Sequence, residues 1–149
     1  FIANNLRQAD IDELIASHGS KMSPRALLMI SVGITPDPVT LLAGDGSGEP
    51  IALLGTIPPS LSGSDTAKPW MLGTGAVFKF PKKIVLGGRS YVRDMLERYG
   101  ALENYVDVRN VVSVKWLQSI GFTLDEPTPY GPDKMPFHRF YAGGIHANA

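Results

Sequence analysis

Three lysines lie close to the predicted start of a long helix. Lys79, Lys82 and Lys83 flank Pro81, which begins a helical pattern that runs to Tyr99. Positive side chains oppose the partial positive charge of a helix N-terminus, whose unpaired backbone N–H groups are good ligands for anions. The segment therefore suggests a site for an anion or a phosphate. The simpler alternative is a set of solvated lysines on a helix that is stabilised by packing elsewhere.

Other chemical signatures are missing from the sequence. The chain has no cysteine, which excludes disulfides, thiolate zinc sites and a cysteine nucleophile. Its three histidines are far apart in sequence, so we expect no metal site. No Walker motif, GxSxG or GxGxxG occurs, and the aromatic residues do not alternate with a basic stripe. The sequence gives no specific signal for nucleic-acid binding.

The stretch from Tyr99 to Phe122 forms a compact predicted unit. A strand over Leu102–Arg109 is followed by Asn110 and by a short helix, Val111–Ser119, which Gly121 closes. The side-chain oxygen of Asn110 is predicted to accept hydrogen bonds from the first-turn N–H groups of that helix. Apolar residues at intervals of four predict one buried helix face: Val112, Trp116 and Ile120.

The spacing within this unit resembles the last conserved block of the GNAT N-acyltransferase superfamily. That block has an asparagine, a small residue three positions on, two apolar residues, and then Gly-Phe. A phage branch of GNAT-like proteins, which includes internal virion proteins of short-tailed phages, looks most similar over Trp70–Phe122. The matching positions are Asn110, Ser113, Trp116, Leu117, Gly121 and Phe122, with the further runs Asp94–Tyr99 and Leu102–Val106.

The resemblance implies an α/β (α+β) fold with a GNAT-like mixed, mostly antiparallel central sheet flanked by helices on both faces. The order of the predicted elements agrees with this fold. Strands are expected over Val39–Ala43, Pro50–Ile57, Lys68–Thr74, Leu102–Arg109 and Phe137–Ala142, and the segments Pro58–Asp65 and Glu126–Asp133 are expected to be loops.

The N-terminal part is predicted to contain two helices. Phe1–Ala3 could end a first strand, and Asp10 with Glu13 is interpreted as a capping box at the start of the first helix. The second helix is expected to begin at Ser23-Pro24 and to end at Gly33. Because it is apolar nearly all round, we expect it to be buried.

In GNAT enzymes the acyl-CoA pyrophosphate binds at the start of the helix after the fourth strand, on an Arg or Gln followed by small residues. The resemblance places acetyl-CoA, or another acyl-CoA, at the corresponding segment here. The motif is incomplete, because Ile84 stands where the Arg or Gln is expected. Alternatively, the two glycines mark the true start of the helix. The residues that the resemblance assigns to the cofactor are Gly87, Gly88, Arg89, Ser90 and Asn110.

The catalytic residues are not specified by the resemblance. The usual acid for the leaving thiolate is a tyrosine seven residues after the asparagine, where Leu117 stands and cannot donate a proton. Tyr105 and Tyr91 are possible substitutes, or simply packed aromatics. Candidates for a general base are Glu103, Asp107 and His138, which could equally be solvent-facing acids and a strand histidine.

Composition describes one ordinary domain, predicted to span 1–149 with a tail at about 143–149. Of 149 residues 44% are hydrophobic, and 14 basic residues balance 14 acidic ones, which argues against a general binder of nucleic acid or anionic membranes. The sequence contains no apolar run of about 18 residues, so we expect no membrane-spanning helix. The chain opens on Phe1, so residues can precede it, and a signal peptide cannot be judged.

Three functional hypotheses follow. The first is a phage virion-associated or assembly protein that keeps a GNAT-like fold without acyl transfer; it would contact other virion proteins and lie in the virion or the infected host cytoplasm. The second is a CoA-dependent N-acyltransferase that acts on an unknown amine. The third is a module that binds CoA or an anion without turnover.

Overall fold

The computed structural model describes residues 1–144 and contains five α-helices, two short 3-10 helices and seven strands. The α-helices are α1 Gln8–His18, α2 Pro24–Gly33, α3 Pro59–Ser62, α4 Pro81–Tyr99 and α5 Val111–Ser119. The strands are β1 Val39–Leu42, β2 Pro50–Ile57, β3 Lys68–Gly73, β4 Ala101–Asp107, β5 Thr123–Leu124, β6 Thr128–Tyr130 and β7 Met135–Gly143.

The strands form two antiparallel sheets that meet along one edge. The first has the order β1-β2-β3, and the second has the order β4-β7-β5, with β6 also paired to β7. A single parallel bridge between Ala67 and Leu102 joins them, so that β3 and β4 lie side by side with the same direction. The result is a mixed, mostly antiparallel arrangement, as predicted.

Helices cover the two faces because the strand residues alternate between them. Leu102, Val106 and Phe140 point to one face and pack against α4 and α5, where they form the main hydrophobic core. On the opposite face α2 packs on β2, and α1 packs on α2 and β4. The sheets therefore lie between two helical layers, which confirms the predicted fold class.

A close contact between α4 and α5 depends on a glycine. A Cβ atom added at Gly88 would lie 2.8 Å from Cζ2 of Trp116 and 2.9 Å from Cγ2 of Ile120. Trp116 is fixed there because its indole N–H donates to the carbonyl of Ile84 at 2.9 Å. Gly88 thus lets the two helices approach, and it lies inside α4, which begins at Pro81 as predicted. The alternative that the two glycines begin the helix is wrong.

Two predictions for the N-terminal part are wrong. Residues Ile2–Asn4 form a 3-10 helix, not a strand, because the N–H groups of Asn4 and Asn5 bond back to local carbonyls. The capping box is absent, because α1 begins at Gln8 with Arg7 in the capping position, and Asp10 already lies within the helix. The side chains of Asp10 and Glu13 instead reach β3 and β4.

The second helix has the predicted ends but not the predicted burial. The Ser23 hydroxyl accepts from the N–H of Ala26 at 3.1 Å, with proline at the first helical position. Leu27 and Leu28 are buried, yet other apolar side chains of α2 and the loop before it point to solvent. These are Met22 (41% exposed), Met29 (60%) and Ile30 (49%). One side of α2 packs on the sheet, and nothing among the described residues covers the other.

The unit around α5 is confirmed in its elements and corrected in detail. Asn110 occupies the N-cap position, but its side chain caps no first-turn N–H group. Val112 is 42% exposed, so the buried face of α5 is formed instead by Ser113, Trp116 and Leu117. The segments predicted as loops contain α3 and β6. The β1–β2 hairpin and β7 lie where they were predicted.

The predicted tail at about 143–149 falls largely outside the described residues, which end at Gly144. Within residues 1–144, no helix combines the length and apolar character that crossing a membrane requires. The same part of the chain contains no group of three or more His, Cys, Asp or Glu placed to hold a metal ion.

The contact at Gly88 predicts a position-specific cost. We expect Gly88→Ala to lower the free energy of unfolding by about 1–2 kcal/mol, because the added methyl group overpacks the Trp116 ring. Gly33→Ala, in open space at the end of α2, is the matched control and should be neutral or stabilising by tenths of a kcal/mol. Urea unfolding of both variants measures this. Equal stabilities would show that the helices are not in close contact.

Candidate functional site

The candidate site is a gap between β3 and β4. The two strands are hydrogen-bonded only at their beginnings, where the N–H of Ala67 donates to the carbonyl of Ala101 at 3.1 Å and the N–H of Glu103 donates to the carbonyl of Ala67 at 2.9 Å. In a regular parallel ladder the next bond would run from the N–H of residue 69 to the carbonyl of Glu103. Residue 69 is proline and has no N–H, so the ladder stops there.

The side chain of Asn104 takes the place of the missing ladder bonds. Its Nδ2 donates to the carbonyl of Pro69 at 2.9 Å, and its Oδ1 accepts from the N–H of Tyr105 at 2.9 Å. A primary amide is thereby inserted between two strands that would otherwise bond directly. Beyond this point the strands diverge.

Helix α1 bridges the wide end of the gap. On β3, Gly73 donates its N–H to Oδ2 of Asp10 at 2.9 Å and accepts at its carbonyl from the N–H of Arg7 at 3.1 Å. On β4, the N–H of Asp107 donates to Oε1 of Glu13 at 2.9 Å. Between the inserted amide and this bridge, strand alternation turns the N–H and carbonyl of Met71 toward the gap.

A buried polar network holds the bridge together. Arg7 and Asp10 form a two-point ion pair, with Nη2–Oδ1 at 2.7 Å and Nε–Oδ2 at 3.1 Å. Nη2 of Arg7 also donates to Oδ1 of Asn110 at 3.3 Å and to Oγ of Ser113 at 3.1 Å. Nδ2 of Asn110 donates to Oδ1 of Asp10 at 3.1 Å and to Oε1 of Glu13 at 3.3 Å. Every charged group in the network therefore has a partner, as burial of charge requires.

A cavity of about 260 Å³ occupies the gap and reaches both helical layers. Its walls are mainly apolar and aromatic, with a few polar groups, which is the usual character of a ligand site. On the α1 side it is lined by Glu13, Leu14, His18, Trp70, Tyr105 and Tyr130. On the α4–α5 side it is lined by Tyr91, Val92, Ser113, Trp116, Leu117 and Phe140.

Glu13 is the ionisable group in the cavity whose protonation is most altered. Burial raises the pKa of its carboxyl from 4.5 to about 7, and the negative charge of Asp10 adds to the increase. The hydrogen bonds from the N–H of Asp107 and from Asn110 lower the pKa and so limit the rise. A carboxylate with a pKa near neutral pH can take up and release protons under physiological conditions, as a general base requires.

Aromatic rings form the wall beside Glu13. Tyr105 stacks on Tyr130 with ring centroids 4.3 Å apart, and Tyr130 lies 5.0 Å from Phe137. Burial raises the pKa of Tyr130 and of Tyr91, so both phenols are protonated at neutral pH. Tyr91 also shares a hydrogen bond of 2.7 Å with the hydroxyl of Thr56.

The start of α4 lies at the C-terminal end of β3, after a 3-10 helix at Gly75–Phe78. The lysines predicted to favour an anion are exposed there, and Lys79 forms a loose ion pair of 3.8 Å with Glu49. Lys82 and Lys83 lie in the first turn, where backbone N–H groups have no partner within the helix.

The residues assigned to acyl-CoA lie in different surroundings. Gly87, Gly88, Arg89 and Ser90 are in the second and third turns of α4, not at its N-terminus. Arg89 donates from Nε to the carbonyl of Ser119 at 3.1 Å, at the end of α5. Asn110 is 2% exposed, and its side-chain amide is already bonded to Arg7, Asp10 and Glu13. Contact of these five residues with CoA stays a prediction.

Of the catalytic candidates, Tyr105 and Tyr91 line the cavity. Glu103 is half-buried and pairs with Arg139 at 2.7 Å. His138 bonds through Nδ1 to the carbonyl of Asp125 at 2.8 Å, and Asp107 pairs with Arg109 at 2.7 Å. The side chains of these three residues are thus engaged outside the cavity wall. Leu117, at the usual acid position, is buried in the wall.

Glu13 was not among the sequence-based catalytic candidates. Its position three residues after Asp10 was interpreted as a helix start, because that spacing matches a capping box. The available signal was an acidic pair on the face of an amphipathic helix, with Leu14 beside it. Acids on an inward-facing helix side need partners, and those partners lie about a hundred residues away in sequence.

Comparisons with solved structures identify the fold. No family model matches the sequence, and no curated protein matches it significantly. A putative ribosomal-protein-serine acetyltransferase from Vibrio cholerae superposes with a TM-score of 0.61 at 10% identity, over 86% of this chain and 78% of that one. A Bacillus subtilis acetyltransferase in complex with CoA gives 0.58 at 12% identity, over 93% of both chains.

An aminoglycoside acetyltransferase, AAC(6')-Ib, in complex with coenzyme A and kanamycin gives a TM-score of 0.52 at 14% identity. The match covers 65% of this chain and 62% of the length of that enzyme. Such identities establish the fold alone: the chain has the GNAT acetyltransferase fold. The resemblance to the phage branch is not tested by these matches and stays a prediction.

The gap between β3 and β4 predicts a measurable response to two substitutions. We expect Asn104→Ala to accelerate hydrogen exchange at the amide of Tyr105 and to destabilise the fold by about 1–2 kcal/mol, because two backbone groups lose their partners. Combining it with Pro69→Ala restores an N–H at position 69 and should let the strands bond directly, which slows exchange at Tyr105 again. Unchanged exchange in both variants would contradict the inserted-amide arrangement.

The raised pKa of Glu13 predicts the pH dependence of stability. Between pH 4.5 and about 7 the folded protein retains a proton that the unfolded chain has lost, so the contribution of Glu13 to stability falls as pH rises through this range. We expect Glu13→Gln to be as stable as the parent near pH 4 and more stable at pH 8, by roughly 2–3 kcal/mol.

The measurement is urea unfolding at both pH values, with Glu126→Gln on an exposed loop as the matched control. The control should shift stability equally at the two pH values. A stability difference between Glu13→Gln and the parent that does not change with pH would mean that Glu13 has an ordinary pKa.

Proposed function

We propose that this protein is a CoA-dependent N-acyltransferase that moves an acyl group from acyl-CoA to an amine. The observation that carries the proposal is the Glu13 carboxyl, which has a pKa of about 7 and lines a cavity in the gap between β3 and β4. The acetyltransferase fold and the CoA-bound structural neighbours support the choice of donor.

Glu13 suits the chemistry of amine acylation. An amine is protonated at neutral pH and must lose a proton before its nitrogen can attack. The Glu13 carboxylate takes that proton, directly or through a water, while the nitrogen forms a bond to the thioester carbonyl carbon. The carbon–sulfur bond then breaks, and the thiolate leaves with the electron pair. The nitrogen releases its second excess proton to solvent, and a proton from the protein or solvent neutralises the thiolate.

The open part of the strand edge supplies fixed polar groups for the donor. The N–H and carbonyl of Met71 face the gap, whereas the neighbouring edge groups at Pro69 and Gly73 are already bonded to Asn104, Asp10 and Arg7. A preorganised N–H group costs no reorganisation when it binds a thioester or amide oxygen. The open edge at Met71 therefore favours an extended amide-containing ligand such as the arm of CoA.

The first turn of α4 supplies the complementary charge for the phosphates. It offers unpaired N–H groups together with Lys82 and Lys83, and Lys79 lies just before it. Phosphates bind favourably at such a position because the helix dipole and the lysines act in the same direction. This is the anion site that the lysine cluster suggested from sequence.

The proton for the leaving thiolate has two phenolic sources. Leu117 cannot supply it. Tyr105 lies in the cavity wall on the α1 side, near Glu13, and Tyr91 lies on the α4 side with a raised pKa. A phenol that stays protonated at neutral pH is a suitable donor to a thiolate.

The virion or assembly role, with partners among virion proteins, is supported by no contact or comparison in hand and stays a prediction. The same holds for localisation in the virion or the infected cell. The acyl acceptor of the proposed reaction is an amine.

The proposal predicts binding and turnover. We expect acetyl-CoA to bind at micromolar strength in calorimetric titration, and Lys82→Glu with Lys83→Glu to weaken binding at least tenfold through charge repulsion. Lys21→Glu, an exposed lysine before α2, is the charge-matched control. In an amine screen that follows thiol release, Glu13→Gln should lower kcat/KM by about 10²–10⁴ at pH 7. Absence of both acyl-CoA binding and thiol release would refute the proposed function.

A further inference from the structure

We propose that Asn110 is a positioning residue whose side-chain amide, oriented by the buried Arg7–Asp10 pair, ties the Glu13 carboxylate to the corner between β4 and α5. This inference rests on the proposed function, in which Glu13 is the base. It gives Asn110 a role in place of the helix cap predicted from its sequence position.

The orientation of the Asn110 amide is determined by its neighbours. Oδ1 faces the guanidinium of Arg7 at 3.3 Å, and Nδ2 faces Oδ1 of Asp10 at 3.1 Å and Oε1 of Glu13 at 3.3 Å. A flipped amide would place its oxygen against two carboxylates and its N–H groups against a cation. The two N–H donors of Nδ2 therefore serve one carboxylate each.

The guanidinium that orients Asn110 is itself fixed. Arg7 bonds twice to Asp10 and once to Ser113, and its backbone N–H donates to Gly73 of β3. Arg7 is 8% exposed and Asp10 is 1% exposed, so water does not compete for the hydrogen bonds between them. Removal of one partner from a buried pair leaves an uncompensated charge, so Arg7 and Asp10 hold each other in place.

Glu13 is held at two points on the same corner. Oε1 accepts from the backbone N–H of Asp107 at 2.9 Å and from Asn110 at 3.3 Å. These two bonds fix the position of Oε1 at the edge of the cavity that Glu13 lines. Precise placement of a base matters because proton transfer requires contact at hydrogen-bond distance.

The charges around Glu13 make its proton affinity sensitive to Asn110. Asp10 on the same helix and Asp107 on β4 both raise its pKa, and the bond from Asn110 lowers it. The other charged or titratable groups nearby are Arg7, Arg109 paired with Asp107, and the cavity residues His18 and Lys68. Removal of the Asn110 amide takes away the side-chain hydrogen bond that lowers the pKa of Glu13, whereas the two aspartates that raise this pKa remain.

Two variants and one control test the role. Asn110→Asp replaces the donor by an acceptor, and Asn110→Ala removes it. Gln118→Ala, which changes an exposed side chain of the same helix that does not line the cavity, is the control. The readouts are the pH profile of kcat/KM for thiol release and, independently of turnover, the titration of the Glu13 carboxyl followed by carbon NMR of labelled protein.

We expect the acid limb of kcat/KM and the NMR midpoint to rise together by about one pH unit in Asn110→Ala and by more in Asn110→Asp. Activity of Asn110→Ala at pH 7 should then fall about fivefold, because the deprotonated fraction of Glu13 falls from about one half to about one tenth, and it should recover at pH 9. Gln118→Ala should leave both midpoints unchanged. If Asn110→Asp does not fold, Asn110→Ala carries the test.

Two outcomes separate this inference from the proposed function. Unchanged NMR and kinetic midpoints in a folded Asn110 variant, with any loss confined to kcat, would overturn the positioning role while leaving acyl transfer intact. A raised NMR midpoint in a protein that shows no thiol release would sustain the tie between Asn110 and Glu13, while the proposed function would fail.

Discussion

The geometry of this molecule depends on a hydrogen bond that cannot form. Pro69 has no N–H to offer β4, so the parallel ladder that begins at Ala67 ends after one bridge. The Asn104 amide then spaces the strands while satisfying the carbonyl of Pro69 and the N–H of Tyr105. Without this interruption, β3 and β4 would continue side by side. Their backbone N–H and carbonyl groups would then bond to each other instead of lining a cavity.

Helix α1 supplies hydrogen-bond partners for backbone groups that the gap leaves unpaired. Strand edges that diverge inside a protein expose backbone groups that water cannot reach, and these groups need partners. Asp10, Glu13 and the backbone of Arg7 supply them at the wide end. The same helix that repairs the edge brings a carboxylate with a raised pKa to the cavity. Adjacent turns of α1 therefore supply both the partners for the strand edge and the carboxylate of Glu13.

Much of the fold was predictable because it is encoded locally. Helix α4 and helix α5 follow from proline, glycine and apolar spacing, and the β1–β2 hairpin follows from its turn residues. Predictions from local sequence were wrong where the role of a side chain depends on partners that are distant in sequence. Asn110 and Asp10 have the residue types of helix caps, yet their side chains bond to each other across the sheet junction. The pKa of Glu13 is raised mainly by burial, with a smaller contribution from the charge of Asp10. That burial depends on packing against segments about a hundred residues away, which no local sequence pattern contains.

The separation of Arg7 from Asn110 by 103 positions also bears on how the chain folds. Contacts between distant segments require closure of a long loop, which slows folding relative to local pairing. Glu13 reaches its position only when the N-terminal helix meets the end of β4, so the site is complete only once these long-range contacts have formed. Detachment of the first turn of α1 would remove the bonds of Arg7 and Asp10 to β3 and to Asn110, and the site would not be assembled.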